Sequence, residues 1–429
     1  MGKENYSSAL ILGHGRSGQA AEALLRSEGC VTVVASNDRM DDAAFSQCLE
    51  ESNFDVCVVS PGFALDHPWM VALQEQGIRL LSELELGWSR HKGKTIALTG
   101  SNGKSTAVKW ICESLVAAGL KAEIGGNYGI PACEVVLEHP DLDWLVLEVS
   151  SFQLETVRNF HADIAVVLNV LPNHLNRHGT MECYRQTKAR IFGTLTPSGV
   201  CIAPAELVET FRADVDEPRQ WVTFGNGGRY HFQGGKIFQE LEKVFNLEGT
   251  LFDSPTLGGC TGGATAAVCG AAGLDFGNFE RAARAFKPLR HRLERLGEIG
   301  GVRFINDSKA TNLAAMGAAL EATGHNIHLI AGGLPKESDY TFVKEILAER
   351  VRTLYVIGQS SQAMFEAWKT VCSCVECGTL EGAFSKAVEA AETGDSILLS
   401  PGCASFDQFS SFEERGDLFK KLFVGLKTA

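Results

Sequence analysis

The stretch "KTIALTGSNGKSTAVKWICESL", from Lys94 to Leu115, decides the fold of the region around it. An apolar run ends in a glycine-rich turn, and apolar residues then recur at helical spacing, namely Val108, Ile111, Cys112, Leu115 and Val116. A strand, a glycine turn and a helix are typical of a phosphate-binding loop, because N–H groups at a helix N-terminus hold anions. The usual pattern, G-x-x-x-x-G-K-[ST], would need a glycine at position 98. That residue is Leu98, and Gly100 gives the shorter form G-x-x-G-K-S.

Two later strands end in residues that suit the same site. "DWLVLEVSS" is apolar up to Glu148, and "ADIAVVLNV" is apolar up to Asn169, with His174 just beyond. Continuous apolar runs are typical of parallel strands covered on both faces, and such sheets bind ligands at the carboxyl ends of their strands. We therefore expect Lys104 to contact the phosphates of a nucleotide, and Ser105, Glu148 and His174 to hold Mg²⁺ directly or through water. A strand-terminal glutamate alone could cap a helix, and a lone histidine is usually a surface residue, so the prediction depends on all of them together.

An earlier block, from Ala9 to about Arg90, alternates apolar runs with amphipathic stretches, which indicates parallel βα units. Its first turn reads G-x-G-x-x-G, from Gly13 to Gly18, between a strand and a helix. NAD is one candidate ligand, since Asp38 lies about 20 residues further on. However, Ser36 and Asn37 come between Asp38 and the strand, and any ligand with a diphosphate fits the same loop.

A third block begins near Leu289 and again alternates strands with helices. Polar residues follow its strands, namely Asp307, Lys309, Thr311, Lys336 and Ser405. The sheet itself does not require so many polar residues after its strands, whereas a ligand-binding site does. We predict an α/β protein of three domains: an N-terminal Rossmann-like domain at 1–91, a central P-loop-type ATPase-like parallel sheet at 92–288, and a C-terminal Rossmann-like domain at 289–429.

Composition narrows the class of protein. The 429 residues carry a net charge of −13, which argues against a general nucleic-acid binder. No apolar run approaches the ~18 residues of a membrane span, and the N-terminus lacks a signal-peptide pattern, so we expect a cytoplasmic protein without membrane insertion. Thirteen cysteines, mostly in apolar runs, indicate reduced thiols. Cys372, Cys374 and Cys377 have a spacing that could bind zinc, but no fourth ligand is near, which favours an edge strand with spare thiols.

These motifs resemble those of the Mur ligases, ATP-dependent enzymes that build the peptidoglycan precursor. The loop "TGSNGKST" is similar to the ATP loop of that family. Further segments resemble the members that add D-glutamate: "GHGRSG", "VVSPGFALDHP", "GNYGIP", "LEVSSFQLE", "INDSKATN" and "LSPGCASFDQFSSFEERG". The resemblance covers the whole chain, and the D-N-P-R stretch expected of the member that adds a diamino acid is not found in the sequence.

The resemblance implies a reaction and a set of site residues. ATP would phosphorylate the carboxylate of UDP-N-acetylmuramoyl-L-alanine, and the amine of D-glutamate would attack the acyl phosphate. Catalytic residues would be Lys104, Lys188, His174, Lys309 and Arg292. Nucleotide-binding residues would be Gly100, Ser101, Asn102, Gly103, Lys104, Ser105, Thr106, Asp307 and Arg292. The UDP substrate would be held by Gly13, Gly15, Arg16, Ser17, Ser36, Asn37, Ser60, Pro61, Gly62 and Asn127, and D-glutamate by Thr311, Lys336, Ser405 and Phe412. Mg²⁺ would be held at two sites, one nearer the nucleotide with Ser105 and Glu148 and one near the acyl phosphate with His174 and a carbamylated Lys188, although spacing alone indicates that Lys188 is an ordinary helix-surface lysine.

Some positions depart from the family pattern. The region "LGGCTGGATAAV" lacks the asparagines of the family's H-N-x-x-N motif, which leaves open how adenine is held. Asn173 and Leu334 stand where acidic residues are common. Three alternatives remain: a folate ligase, which would not be expected to carry the first G-x-G-x-x-G domain, a non-catalytic nucleotide-binding relative, and an NAD oxidoreductase. We expect a monomer.

Overall fold

The structure, a computed structural model, describes residues 4–193, 195–215, 219–336 and 339–428. The chain forms two compact units, of which the first consists of Met1–Leu247 and Gly259–Arg284 and the second of Glu248–Gly258 and Ala285–Ala429. Both units combine helices with mostly parallel strands, which confirms the α/β fold class. The three-domain arrangement, its boundaries at 91/92 and 288/289, and its Rossmann-like and P-loop-type assignments stay predictions.

Four parallel strands open the first unit: β1 (Ser8–Leu12), β2 (Val31–Ala35), β3 (Val56–Val59) and β4 (Leu80–Ser82). The helices that follow them are α1 (Arg16–Ser27), α2 (Asp42–Glu51), α3 (Pro68–Glu75) and α4 (Glu83–Trp88). The strand order is β2-β1-β3-β4, with the buried strands β1 and β3 in the middle. Apolar runs at the sequence positions of β1 and β3 therefore form the centre of this sheet, as parallel βα units require.

A larger sheet follows in the first unit, and nine described strands belong to it: β5 (Lys94–Thr99), β6 (Ala122–Gly126), β7 (Trp144–Glu148), β8 (Ala162–Val167), β9 (Leu195–Pro204), β10 (Gln220–Phe224), β11 (Tyr230–Gln233), β12 (Lys236–Gln239) and β13 (Glu242–Asn246). Their order is β13-β12-β11-β10-β9-β8-β5-β7-β6. The sheet is parallel from β6 to β11, whereas β12 pairs antiparallel with both β11 and β13. This antiparallel ribbon at one edge was not predicted from the sequence.

The helices of this part of the chain are α5 (Lys104–Ala117), α6 (Ala132–Glu138), α7 (Ser151–Thr156), α8 (Leu175–His178), α9 (Met181–Gly193), α10 (Val208–Ala213), α11 (Gly263–Ala272) and α12 (Phe276–Ala285), with a π-helix at Leu257–Gly262. Strands β5, β7 and β8 are buried almost throughout, which confirms that the central strands are covered on both faces. Four of the apolar residues that predicted α5 are buried, but Val116, in the last turn, is 55% exposed.

Six described strands form the sheet of the second unit: β14 (Glu294–Ile299), β15 (Val302–Asn306), β16 (Ile327–Gly332), β17 (Val351–Ile357), β18 (Ser373–Gly378) and β19 (Ser396–Leu399). Their order is β14-β15-β19-β16-β17-β18, and only β14 is antiparallel to its neighbour. Its helices are α13 (Leu313–Thr323), α14 (Lys344–Arg350), α15 (Ser361–Trp368), α16 (Leu380–Ala390) and α17 (Phe412–Thr428). Before β17, a 3₁₀ turn at Thr341–Val343 leads into α14.

The cysteine cluster lies at the edge strand β18, as the sequence predicted. The Sγ atoms of Cys372 and Cys374 are 4.0 Å apart. Across the described residues, no three His, Cys, Asp or Glu side chains are grouped so that they could hold a metal ion. A search of the same residues for helices with the length and apolar content of a membrane span also finds none.

Candidate active site

The loop between β5 and α5 has the backbone of an anion-binding turn. Gly100 and Gly103 have φ angles of 157° and 83°, and Gly103 is the N-cap of α5 in the left-handed conformation. A Cβ atom on Gly100 would lie 3.0 Å from Cβ of Leu168, so this glycine also allows close packing. Because the first N–H groups of a helix have no acceptor within it, the start of α5 is a place where phosphate can bind.

Asn169, at the end of the neighbouring strand β8, fixes the first half of this loop. Its Oδ1 accepts the N–H groups of Ser101 and Asn102, both at 3.0 Å. Ser101 Oγ also lies 3.1 Å from the hydroxyl of Tyr184, on α9. Sequence analysis placed Ser101 and Asn102 in the loop but missed Asn169 and Tyr184 as the residues that shape it. The only signal was that Asn169 ends an otherwise apolar strand.

Two predicted catalytic lysines meet on one carbonyl oxygen. The Nζ atoms of Lys104 and Lys188 each donate to the carbonyl oxygen of Gly100 at 2.9 Å, so they are at most twice that distance apart. Lys188 belongs to α9 and is only 1% exposed. Its Nζ also lies 4.6 Å from the ring centroid of Tyr184. Spacing alone had indicated a surface lysine at this position, and that interpretation is wrong.

The environment of Lys188 favours a neutral amine. Burial lowers the pKa of this group well below its usual value, and the positive charge of Lys104 lowers it further, while Glu148 opposes both effects. A buried lysine without its proton is a nucleophile, which an ordinary surface lysine at neutral pH is not.

Glu148, the last residue of β7, is 2% exposed. Its Oε1 accepts the side-chain amide of Asn127 at 2.6 Å, and its carbonyl oxygen accepts the backbone N–H of the same residue at 2.8 Å. The other carboxylate oxygen, Oε2, is buried and has no hydrogen-bond partner in the part of the chain that the structure describes. Buried carboxylate oxygens are normally satisfied, so this atom is suited to a cation or a bound ligand.

His174 precedes α8 and has a φ of 55°, a left-handed conformation that is uncommon for residues other than glycine. Its ring lies 4.9 Å from the ring of Phe152, on α7, in an edge-on arrangement. Ser105, the second residue of α5, is 3% exposed. Glu148, Ser105 and His174 therefore each follow a buried parallel strand of the same sheet, at its carboxyl end.

The residues predicted for the UDP substrate follow three strands of the first sheet. Gly15, Arg16 and Ser17 begin α1, Ser36 and Asn37 follow β2, and Ser60, Pro61 and Gly62 follow β3. The first and third of these loops touch, because Ser60 Oγ donates to the carbonyl oxygen of Gly13 at 3.2 Å. Gly13 has a φ of 92°, and a Cβ atom there would lie 2.9 Å from Ser60. Arg16 reaches the carbonyl oxygen of Gly129 at 3.4 Å, close in sequence to Asn127.

In the second unit, three residues predicted for D-glutamate lie on adjoining loops. Lys336 Nζ donates to Thr311 Oγ1 at 3.3 Å. The turn that contains Lys336 pairs with the segment before Ser405, since Leu334 and Ala404 exchange backbone hydrogen bonds at 2.9 and 3.0 Å. A Cβ atom on Gly333 would lie 2.3 Å from the carbonyl oxygen of Ala404, so this approach requires glycine.

Asp307 and the predicted residues near it form a second group in this unit. Asp307 is buried, and burial raises the pKa of its carboxyl to about 7, against the hydrogen bonds from Ser400 and the N–H of Leu293 that lower it. Leu293 and His291, on either side of Arg292, have φ angles of 45° and 60°, which are strained for such residues. Lys309 Nζ lies 4.2 Å from the ring centroid of Phe412, an aromatic that spacing alone would place in the core.

Arg415, on α17, is a residue that sequence reasoning missed. It is 1% exposed and donates to the carbonyl oxygens of Ser308, Cys403 and Ala404 at 2.8 to 3.3 Å. These contacts join the segment after β15 to the segment before Ser405. Arg415 lies in a quoted motif, "SSFEERG", but nothing in its polar neighbours indicated that it would be buried.

Comparison with known proteins shows the family to which the chain belongs. The Mur ligase middle domain matches residues 98–258, and the domain described as "Mur ligase, glutamate ligase domain" matches residues 291–403. The chain is 37% identical to a protein of Acidobacterium capsulatum, over 98% of this chain and 96% of the relative. It is 35% identical to one of Koribacter versatilis, over 96% of each. The fold also resembles the crystal structure of MurF from Thermotoga maritima in complex with ADP, with a TM-score of 0.62 and 17% identity over 93% of this chain and 96% of that one.

The chain therefore belongs to the Mur ligase family of ATP-dependent amide-bond-forming ligases. Both bacterial relatives carry the name UDP-N-acetylmuramoylalanine–D-glutamate ligase. Membership of this family sets aside the interpretation of the first glycine loop as the NAD site of an oxidoreductase.

Proposed function

We propose that this enzyme joins D-glutamate to UDP-N-acetylmuramoyl-L-alanine in peptidoglycan precursor synthesis, and that it does so through an acyl phosphate. The observation that carries the proposal is the convergence of Lys104, Lys188 and Glu148 at the carboxyl ends of buried strands, beside a glycine loop. The names of two relatives that match nearly the whole chain support the choice of substrates. A cytoplasmic location and a monomeric state belong to the same proposal.

The residues of the first unit suit the activation of a carboxylate. A carboxylate is a poor electrophile, and transfer of the γ-phosphoryl group of ATP to it gives it a good leaving group. Phosphoryl transfer depends mainly on positioning and on neutralisation of charge. The loop from Gly100 to Thr106 would hold the phosphates, and Lys104 would supply positive charge beside them. The roles in nucleotide binding and catalysis predicted for Asp307, Arg292 and Lys309, which belong to the second unit, stay predictions.

Two oxygen donors, the type that Mg²⁺ prefers, lie at the same site. Glu148 Oε2 is buried and has no hydrogen-bond partner among the described residues, and Ser105 follows a strand of the same sheet. His174, which follows another strand of that sheet, would hold Mg²⁺ through water. Mg²⁺, when bound there, would neutralise charge on the phosphate oxygens. Lys188 would add an oxygen ligand after carbamylation, in which its neutral amine attacks CO₂ and a proton is released to give a carbamate anion. Burial of Lys188 beside Lys104 favours the neutral amine that this step requires.

The second unit would select the amino acid. D-Glutamate carries two carboxylates that must be held while its amine stays neutral and attacks the acyl phosphate. Lys336 and Thr311 are in hydrogen-bond contact, and Ser405 lies beyond the segment that pairs with the turn of Lys336. A cation and two hydroxyls on different loops are suitable partners for carboxylates and can distinguish the two hands of a chiral centre.

Phosphate release tests this proposal. With ATP and UDP-N-acetylmuramoyl-L-alanine present, we expect release to depend on D-glutamate and to be much lower with L-glutamate or meso-diaminopimelate. Lys104→Ala is the control for background hydrolysis by other enzymes. Equal rates with all three amino acids, or release that needs no amino acid, would reject the assignment of the substrate.

A further inference from the structure

Arg177 is a charged residue that the proposed reaction does not use, and it contacts two separate segments of the first unit, α7 and the loop that follows β3. It lies on α8, three residues after His174. Its Nε and Nη2 donate to the two carboxylate oxygens of Glu155, on α7, at 3.1 and 2.5 Å. Its Nη1 and Nη2 also donate to the carbonyl oxygens of Pro61 and Phe63, at 3.4 and 3.2 Å. The guanidinium therefore connects the larger sheet of this unit with the loop that follows β3.

The loop that Arg177 holds is itself a support for the first glycine turn. Ser60 donates to the carbonyl oxygen of Gly13 and packs against its Cα, where a Cβ atom would have no room. Movement of residues 60–63 would therefore disturb both loops that are predicted to hold the UDP substrate. Residues 60–63 bond to the carbonyl of Leu12 through Ser60 N–H and to Arg177 through two carbonyls.

Arg177 also contacts an aromatic ring that packs against His174, the residue before α8. Its guanidinium lies 4.4 Å from the ring centroid of Phe152, and the same ring contacts the rings of His174 and His178, with centroids at 4.9 and 5.7 Å. The side chains of Arg177 and Glu155 are 19% and 13% exposed, so their ion pair is largely shielded from solvent. A planar fork that makes two bonds to a carboxylate and two to carbonyl oxygens is a geometry that lysine cannot reproduce.

We propose that Arg177, paired with Glu155, is a positioning residue that holds the substrate loop 60–63 at a fixed place relative to the His174 segment. The diphosphate of the UDP substrate would bind at the four-stranded sheet, and the phosphates of ATP at the larger sheet. Arg177 would thereby place the reacting carboxylate of the UDP substrate beside the phosphates of ATP. This role rests on the proposed function, because only a substrate that spans both sheets would need it.

Variants of Arg177 and Glu155 test the role, and Arg190 supplies the matched control. Arg190 donates to the carbonyl oxygens of Glu155 and Val157 at 3.1 and 2.9 Å, so it binds the same helix end without contacting residues 60–63. With Arg177→Lys we expect kcat/KM for the UDP substrate to fall by about tenfold to a hundredfold, while KM for ATP changes little. Arg177→Ala should lower kcat/KM for the UDP substrate about as much as Arg177→Lys, since lysine cannot make the paired hydrogen bonds of the guanidinium. The double variant with Glu155→Gln should be little worse than either single one, because the two residues act as a unit.

Hydrogen exchange of the backbone N–H groups of Ser60, Gly62 and Phe63 reports on the tether, that is, on the contacts of Arg177 with this loop, and it does so without the reaction. We expect faster exchange in Arg177→Lys and not in Arg190→Ala, whatever the substrate proves to be. If the wild type were inactive with D-glutamate but the exchange result held, the proposed function would fail and the tether would stand. Unchanged exchange at residues 60–63, or equal losses for the UDP substrate and ATP together with a lowered melting temperature, would overturn the positioning role.

Discussion

The buried carboxyl of Glu83 should make the stability of the first unit fall as the pH rises. Glu83 is the first residue of α4 and is 3% exposed, and its Oε1 accepts the N–H of Cys133 at 2.7 Å. Burial raises the pKa of the carboxyl to about 7, while the hydrogen bond from Cys133 opposes that shift. Helix α4 packs closely on α6, since a Cβ atom on Gly87 would lie 2.4 Å from the backbone of Ala132.

The size and sign of this effect follow from proton linkage. The carboxyl has a pKa of about 4.5 in the unfolded chain and about 7 in the folded one, so the folded protein binds the proton more tightly. The stability that this group contributes is complete below pH 4.5 and is lost as the pH rises through about 7. A shift of this size corresponds to about 3 kcal/mol at most. Glu83→Gln keeps an oxygen that can accept the N–H of Cys133 but cannot ionise.

Urea unfolding at a series of pH values, followed by tryptophan fluorescence and circular dichroism, measures the effect. We expect the free energy of unfolding of Glu83→Gln, relative to that of the wild type, to rise by about 2 to 3 kcal/mol between pH 4 and pH 8. Glu138→Gln, which removes an exposed carboxylate from the end of α6, is the control for the loss of one negative charge. A difference between Glu83→Gln and the wild type that is the same at every pH would refute the reasoning, since it would mean that Glu83 titrates alike in both states.

Three further predictions concern catalysis. Lys104→Ala should abolish ligation with an unchanged melting temperature, if its amine neutralises the phosphates as proposed; normal turnover would contradict this. Lys188→Ala should be nearly inactive and partly rescued by bicarbonate or short carboxylates, and a carbamate signal after exposure of the wild type to ¹³CO₂ should be absent from the variant; full activity of Lys188→Ala would reject the carbamate. Lys336→Ala should raise KM for D-glutamate by about tenfold or more, the loss of a charge-assisted hydrogen bond, while KM for the UDP substrate changes little. A parallel rise in both KM values would instead make Lys336 a residue of the nucleotide site.

Those parts of the fold that depend on strong local patterns could be predicted from the sequence. The glycine loop before α5 and the polar ends of β7 and β8 follow from apolar runs interrupted at defined places, and parallel sheets gather such ends at one edge. The ribbon of β11, β12 and β13 was missed because each of its strands has only four or five residues, of which two are apolar, and so forms no continuous apolar run. Short strands of this kind are stabilised by their neighbours in the sheet, which the local sequence does not specify.

The candidate site shows a similar limit. Groups that are distant in sequence bury or bond three polar side chains, those of Lys188, Asn169 and Arg415. Hydrophobic periodicity does not predict a polar side chain in such a place. Arg415 is accommodated because carbonyl oxygens of Ser308, Cys403 and Ala404 converge on it, and burial lowers the pKa of its guanidinium only to about 10. It remains charged at neutral pH, so it can hold those segments together. Only the resemblance to a family, not the spacing, singled out Lys188.

The two lysines on the carbonyl oxygen of Gly100 connect the nucleotide loop with the proposed carbamate. While both amines carry protons, two like charges share one acceptor in a buried place, which raises the free energy of the folded state. Loss of the proton from Lys188 removes this repulsion, and a carbamate in its place would turn it into attraction towards Lys104. The modification would therefore do more than supply an oxygen ligand, because it would also stabilise the phosphate-facing lysine in its charged form. On this argument, CO₂ should raise the melting temperature of the wild type more than that of Lys188→Ala, and equal melting temperatures of the wild type with and without CO₂ would contradict it.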